Sequence, residues 1–310
     1  MVWYVMKNER KQFFSKIQVS NMGEKKVVCV HINEKIKVSD KKIGKVAKKL
    51  VRTLTHNNVS AIVLSECLKE IEILVNKLHE ANINILDGRL LFNYLIYDVI
   101  QYVAKRQKTP IETLEISVLT DENDDLGIEN MVLLAQNAKG LNIITNNIQK
   151  FKKLEAYLYE EKGILIKLSN NKRKALLRSD IIINTGFEEE GINKYTLPDK
   201  CVVINTNSAI SIKSKRFNGI NINNYRIKIP SEYELDKFND NIIYEAKIVE
   251  EAFESGIGKS LGKEMLKDLQ GNSKFDNIRE IMKRDEIEVI SLIGSYGVVD
   301  EQEYYLTKTK

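Results

Sequence analysis

The chain has 310 residues, of which 43% are hydrophobic and 29% charged. It is long enough for about two domains at ~150 residues each and too apolar to be disordered throughout. Three cysteines, Cys29, Cys67 and Cys201, form no CxxC pair, which excludes a disulfide framework and a zinc ribbon and suits the reducing cytoplasm. The net charge of +5 is uneven: residues 1–55 carry 14 basic against four acidic side chains, leaving 34 against 39 in the remainder.

The apolar start, Met1 to Met6, is too short for a signal h-region, and no stretch approaches ~18 uncharged apolar residues. Neither a secretory signal nor a membrane span is expected. Short strands are predicted at Trp3–Met6 and Lys26–Ile32, followed by a helix that Ser39 or Asp40 caps. That helix places Ile43, Val46, Ala47, Leu50, Val51 and Leu54 on one stripe, with Lys41, Lys45, Lys48, Lys49 and Arg52 off it. A strand at Ala61–Leu64, a helix at Leu68–Ala81 and a strand at Ile83–Leu86 continue a β–α alternation that implies a parallel sheet. Next comes an apolar helix, Leu90–Ala104, and the polar run 105–110 marks a domain boundary.

The second half alternates more cleanly. Strands are predicted at Leu114–Thr120, Leu141–Thr145, Ile164–Leu168, Asp180–Thr185 and Cys201–Asn205, with helices at Ile128–Ala138, Ile148–Glu161 and Arg173–Leu177. The strands are Val-, Ile- and Leu-rich with little alternation, as when helices cover both faces of a parallel sheet. Helical patterns return at Ile242–Phe253 and Ile278–Met282, and Glu286–Ile293 reads as a last strand or helix end followed by a turn at Gly294-Ser-Tyr-Gly297. The expected fold is α/β with two domains, the second a doubly wound Rossmann-like parallel sheet, and with C-terminal helices. The divisions are 1–108, 109–230 and a helical segment 231–310 that packs back on the first domain.

Three segments resemble the second domain of the shikimate dehydrogenase and glutamyl-tRNA reductase group of NADP-binding Rossmann proteins. They are Ile144-Thr145-Asn146-Asn147-Ile148-Gln149-Lys150, Ser179-Asp180 leading to Asn184-Thr185-Gly186, and Leu197-Pro198 leading to Ile204-Asn205. The resemblance covers roughly residues 111–210. It implies NADP as cofactor, and Asn147 stands where the group has an arginine for the 2′-phosphate, leaving Lys150 as the nearest substitute. The chain departs from the group at the first strand–helix turn. A dinucleotide fold needs G-x-G-x-x-G there, so that backbone N–H groups approach the pyrophosphate. Here the turn is Thr120-Asp121-Glu122-Asn123-Asp124-Asp125-Leu126-Gly127, with one glycine and four carboxylates. Like charges facing a pyrophosphate cost several kcal/mol unless a cation intervenes.

The cofactor-binding candidates are therefore Asp121, Asn123, Asn146, Asn147, Lys150, Thr185, Gly186, Asn205 and Thr206, all at carboxyl ends of strands, where open α/β sheets bind ligands. Asp121, Asp124 and Asp125 are candidates for a divalent cation, since hard ions want oxygens converging from one short loop. The EF-hand match is poor: Leu126 replaces the turn glycine and Val132 the bidentate glutamate. An Asp/Asn run before a helix is more often capping. Asp87-Gly88-Arg89 is a turn at another strand end. Gly256-Ile-Gly258-Lys259-Ser260 fails as a P-loop, because Phe253 stands at the first glycine and a helix precedes it. Cys29 and His31 share a strand face, but a buried core thiol is the commoner meaning; His56 and His79 have no metal-ligand partner at useful spacing.

These readings give an NAD(P)- or nucleotide-dependent enzyme of small-molecule metabolism as the leading function. A non-catalytic Rossmann-like ligand-sensing or interaction protein is the alternative. Nucleic-acid binding through the basic N-terminal part is a third, resting on charge alone. The partner expected is a small molecule, not nucleic acid or a membrane.

Overall fold

The computed structural model describes residues 2–7, 17–22, 25–30, 40–59, 61–214, 216–233, 235, 238–254 and 274–307. Two compact units emerge, one of Met1–Gly88 with Ile229–Lys259 and one of Arg89–Lys228 with Ser260–Lys310.

The first unit opens with strands β1 (Val2–Lys7), β2 (Ile17–Met22) and β3 (Lys25–Val30), helix α1 (Asp40–His56) and strand β4 (Ala61–Leu64). Helices α2 (Glu66–Lys69) and α3 (Glu72–Glu80) and strand β5 (Asn84–Leu86) follow. The sheet order is β2-β3-β1-β4-β5, parallel throughout except that β2 runs antiparallel to β3. α1 forms because its apolar residues recur every three or four positions: Val46, Ala47, Leu50 and Leu54 are buried, while Lys41, Lys42, Lys45, Lys48, Lys49 and Arg52 are exposed. The buried stripe joins Trp3, Val5, Val28, Ile62 and Leu64 in one core.

The second unit begins with α4 (Arg89–Tyr94) and α5 (Ile96–Gln107), which interrupt at Leu95 the single helix expected over 90–104. Then come β6 (Glu115–Leu119), α6 (Asp125–Asn137), β7 (Gly140–Ile144), α7 (Lys152–Lys162), β8 (Lys167–Ser169), α8 (Lys172–Leu176), β9 (Ile181–Asn184), α9 (Glu189–Ile192), β10 (Val202–Asn205) and β11 (Ile220–Lys228). After α10 (Asp240–Glu254) the chain forms α11 (Lys274–Arg284), β12 (Glu288–Gly294), β13 (Gly297–Val298) and α12 (Glu301–Leu306). α10 packs on β1, β4 and β5 in the first unit, whereas α11, β12, β13 and α12 belong to the second.

The sheet of the second unit runs β13-β12-β11-β10-β9-β6-β7-β8. Strands β6 to β11 are all parallel, and counted from β6 their spatial order is 3-2-1-4-5-6, the doubly wound Rossmann arrangement. Strands β6, β9 and β10 are buried almost without a break, as their apolar runs predict. β12 extends the sheet antiparallel to β11, and β13 pairs only with the end of β12.

The chain passes between units at 88/89, 228/229 and 259/260, whereas the sequence pattern sets boundaries at 108/109 and 230/231. The physical reason is that α4 and α5 bury Leu91, Phe92, Ile96, Val99, Ile100 and Val103, with α6, β12 and α12 as neighbours. Phe92 stacks on Tyr225 of β11 with ring centroids 4.6 Å apart. His31 and Gly256–Ser260 lie outside the described residues, and Cys29 is half-buried.

Candidate functional site at the carboxyl edge of the second sheet

In a 3-2-1-4-5-6 sheet the strand order reverses beside the first strand, so the β6 and β9 ends flank a natural crevice. Four neighbouring strands, β7, β6, β9 and β10, each end in a threonine that prolongs the ladder by one bond. Thr145 donates its N–H to the Ser169 carbonyl at 3.0 Å, Thr120 to Ile144 at 3.1 Å, Thr185 to Leu119 at 3.2 Å and Thr206 to Asn184 at 3.1 Å. The polar turns that follow are thereby held at one level.

The acidic turn is folded upon itself and upon its neighbours. Asp121 Oδ1 accepts from the Asn146 N–H at 2.6 Å and from the Thr145 hydroxyl at 3.0 Å, and Oδ2 accepts from the Asn146 side-chain amide. Lys150 Nζ donates to the Asp121 carbonyl at 2.8 Å, and Asn123 reaches the Lys150 carbonyl at 3.4 Å. Burial disfavours the Asp121 carboxylate. The bonds from Asn146 and Thr145, with the nearby Lys172 ammonium, outweigh that and hold its pKa below the ordinary range. Thr120 Oγ1 accepts the Glu122 N–H at 3.1 Å, and Asp124 caps α6 by accepting the Gly127 N–H at 2.7 Å.

Two of the three carboxylates proposed for a cation are thus turned toward donors of the protein. Among the described residues no three His, Cys, Asp or Glu side chains gather to hold a metal. The expectation of a divalent cation at Asp121, Asp124 and Asp125 finds no support among the described residues: Asp124 caps a helix and Asp121 ties β6 to β7. The turn also differs from a glycine-rich dinucleotide loop. Its single glycine, Gly127, has its N–H taken by Asp124, the Glu122 N–H is taken by Thr120, and the turn carries four carboxylates.

The remaining candidates separate into two groups. Asn146, Asn147 and Lys150 are exposed around Asp121, and Asn147 donates its N–H to Thr145 Oγ1 at 3.0 Å. Gly186, also exposed, faces the β6 turn: a Cβ there would stand 3.6 Å from the Asp121 nitrogen and 3.8 Å from the Thr120 Cα. Asn205 and Thr206, by contrast, are 1% and 0% exposed, so they lie beneath the edge. Asn205 sits in a chain of buried amides. It accepts from Asn184 Nδ2 at 3.1 Å and donates to Asn221 Oδ1 at 2.8 Å and Asn223 Oδ1 at 3.0 Å. Asn223 in turn holds both the N–H and the carbonyl of Ile210. Among the described residues the buried Thr206 hydroxyl has no hydrogen-bond partner.

Lys172 is the residue that sequence reasoning missed. It is 7% exposed at the start of α8, donates to Asn146 Oδ1, and its Nζ lies 5.1 Å from the Phe187 ring centroid. Its only sequence signal is its place after the capping Asn171, whose side chain accepts the Lys174 N–H at 3.2 Å. Arg89, noted only as part of a turn, reaches across the far side of the edge, its Nη1 donating to the Asn205, Thr206 and Asn223 carbonyls at 2.9–3.4 Å.

No helix among the described residues is long and apolar enough to cross a membrane. No protein-family model matches the sequence, and no curated protein is similar to it. Among solved structures the chain is similar to one component of the dipicolinate synthase of Bacillus halodurans, at 14% identity over 49% of this chain and 50% of that one, with a TM-score of 0.32. It is also similar to L-tryptophan dehydrogenase from Nostoc punctiforme, at 9% identity over 58% and 50% of the two chains and a TM-score of 0.29. The ornithine carbamoyltransferase from Pyrococcus furiosus gives 14% identity over 62% and 69%, with a TM-score of 0.29. The chain spans about half the length of the first two.

Proposed function

We propose that the second unit binds a nucleotide at the crevice between the β6 and β9 turns, as the binding half of an enzyme of small-molecule metabolism. One observation carries the reading: the 3-2-1-4-5-6 strand order sets Asp121, Asn146 and Gly186 together at the position where doubly wound sheets take their ligands. The acidic turn favours the hydroxyl-bearing nucleoside part, because carboxylates accept from hydroxyls and repel phosphates. Lys150, exposed beside Asp121, is the nearest cation for a single phosphate.

A non-catalytic, ligand-sensing protein is the second reading. It is favoured by the fact that Asp121, Asp124 and Lys172 are each engaged within the protein, as structural rather than reacting groups.

The test is calorimetric titration of adenosine, AMP, NADH and NADPH, in EDTA and with magnesium. Adenosine or AMP is expected to bind, NADPH to give negligible heat in EDTA, and Gly186→Leu, which fills the gap between the turns, to abolish binding. Micromolar NADPH binding in EDTA would show that the turn accepts a pyrophosphate. No binding of any of the four would remove the nucleotide reading. Once a ligand is found, its recovery unchanged after long incubation with candidate co-substrates would favour sensing over catalysis.

A further inference from the structure

The second unit has a cavity of about 720 Å³ walled by the C-terminal half of α5, the start of β12 and α12, apart from the carboxyl edge of β6 and β9. Its volume falls in the range of small-ligand pockets, ~300–1,000 Å³. Apolar surface is present in quantity: Ile290 and Tyr305 line it and are 49% and 51% exposed. Tyr102 forms another wall, fixed in place by donating its hydroxyl to the Ile290 carbonyl at 3.0 Å.

Three of the six charges lining the cavity, Asp98, Arg106 and Glu301, are held in ion pairs. Arg106 pairs with Glu301 and stacks on Tyr102, the guanidinium carbon 5.0 Å from the ring centroid. Asp98 takes Arg279 at 2.9 Å, and Glu288 stands across the ladder from Lys228. Two cations, Lys105 and Lys108, and one carboxylate, Glu288, remain without an oppositely charged group at ion-pair distance among the described residues. The place of the two lysines at the end of α5 offsets the helix dipole, which explains why cations stand there but not why they border the Tyr305 and Ile290 surface. Lys108 Nζ lies 5.4 Å from the Tyr305 centroid, so charge and ring face are side by side.

We propose that this cavity binds a small planar organic anion, its acidic group between Lys105 and Lys108 and its flat body against Tyr305 and Ile290. The combination selects on two counts. The two adjacent cations outnumber the one unpaired carboxylate, Glu288, and favour an anion, and the rings and aliphatic wall favour a body that leaves water with its apolar faces covered. The inference does not rest on the nucleotide reading, since no residue is shared with that crevice.

The experiment is a fluorescence titration of the intact protein with anilinonaphthalene sulfonate, a planar aromatic anion, at low and physiological salt. Saturable binding of one probe per chain is expected, weakened by salt, reduced several-fold in Lys105→Ala/Lys108→Ala and in Tyr305→Ala, and unchanged in Gly186→Leu. Benzoate should displace the probe and inorganic phosphate should not. The variants alter exposed side chains, and an unchanged unfolding midpoint shows that they fold. No saturable binding, several probes per chain, insensitivity to both sets of substitutions, or displacement by phosphate as effective as by benzoate would each overturn the proposal.

Discussion

The Asp121 carboxylate accepts the main-chain N–H of Asn146 at 2.6 Å, which makes the first acidic residue of the turn a tie between the ends of β6 and β7. Its pKa is lowered in the folded state, so its contribution is present above the unfolded carboxylate value, about 3.9, and is lost as pH falls through the lower folded value. Asp121→Ala is expected to cost about 1 kcal/mol at neutral pH, after allowing for solvent screening of a partly exposed group. The loss should shrink as pH drops below about 4. Urea unfolding of both proteins from pH 7 to pH 3 checks this, and a pH-independent difference would contradict it.

The amide chain beneath the carboxyl edge should matter more to stability than the acidic turn. Asn205 is 1% exposed and bonded to Asn184, Asn221 and Asn223. Asn205→Leu removes the donor to Asn221 Oδ1 and Asn223 Oδ1 and the acceptor from Asn184 in a buried network, which predicts a loss of about 2–4 kcal/mol in a denaturant titration.

Two glycines on the same sheet should answer alanine in opposite ways. At Gly219 a Cβ would stand 1.9 Å from the Cys201 carbonyl oxygen and 2.7 Å from the Phe217 ring, so backbone must move. Gly219→Ala is expected to destabilise by about 3 kcal/mol or more. At Gly186 the nearest atom would be 3.6 Å away, an ordinary contact, and Gly186→Ala should leave the unfolding midpoint within about ±0.5 kcal/mol of the parent. Thermal and urea melts of the pair measure the contrast.

The three thiols should be ranked by burial. Cys201 is 1% exposed and its pKa is pushed up to about 12, by burial first and then by the Asp180 and Asp199 charges, against the pull of a backbone hydrogen bond. Cys67 is exposed and Cys29 half-buried. Iodoacetamide at pH 8 followed by peptide mass spectrometry should label Cys67 first, Cys29 more slowly, and Cys201 only after unfolding.

The local order of the chain, which runs are strands and which are helices through most of the second unit, is written in the pattern of neighbouring residues. Buried parallel strands are unbroken apolar runs such as Ile181–Asn184, and helices such as α1 repeat every 3.6 residues, so both patterns are carried by near neighbours. β11 escaped because its Ile-Asn-Ile-Asn-Asn core alternates apolar residues with asparagine, a poor strand former, and only the buried amide chain gives those asparagines partners. β2 escaped as a polar strand at the edge of the first sheet, stabilised by its pairing with β3. The polar turns of the candidate site were legible because loops after strands stand out in composition. The roles within them were not. That Asp124 caps α6, that Asp121 binds β7, and that Lys172 lies buried against Asn146 depend on partners up to 51 positions away, counted from Asp121 to Lys172. Only the tertiary structure decides where such distant groups meet, because hydrogen bonds and burial act through space and leave no period in the chain.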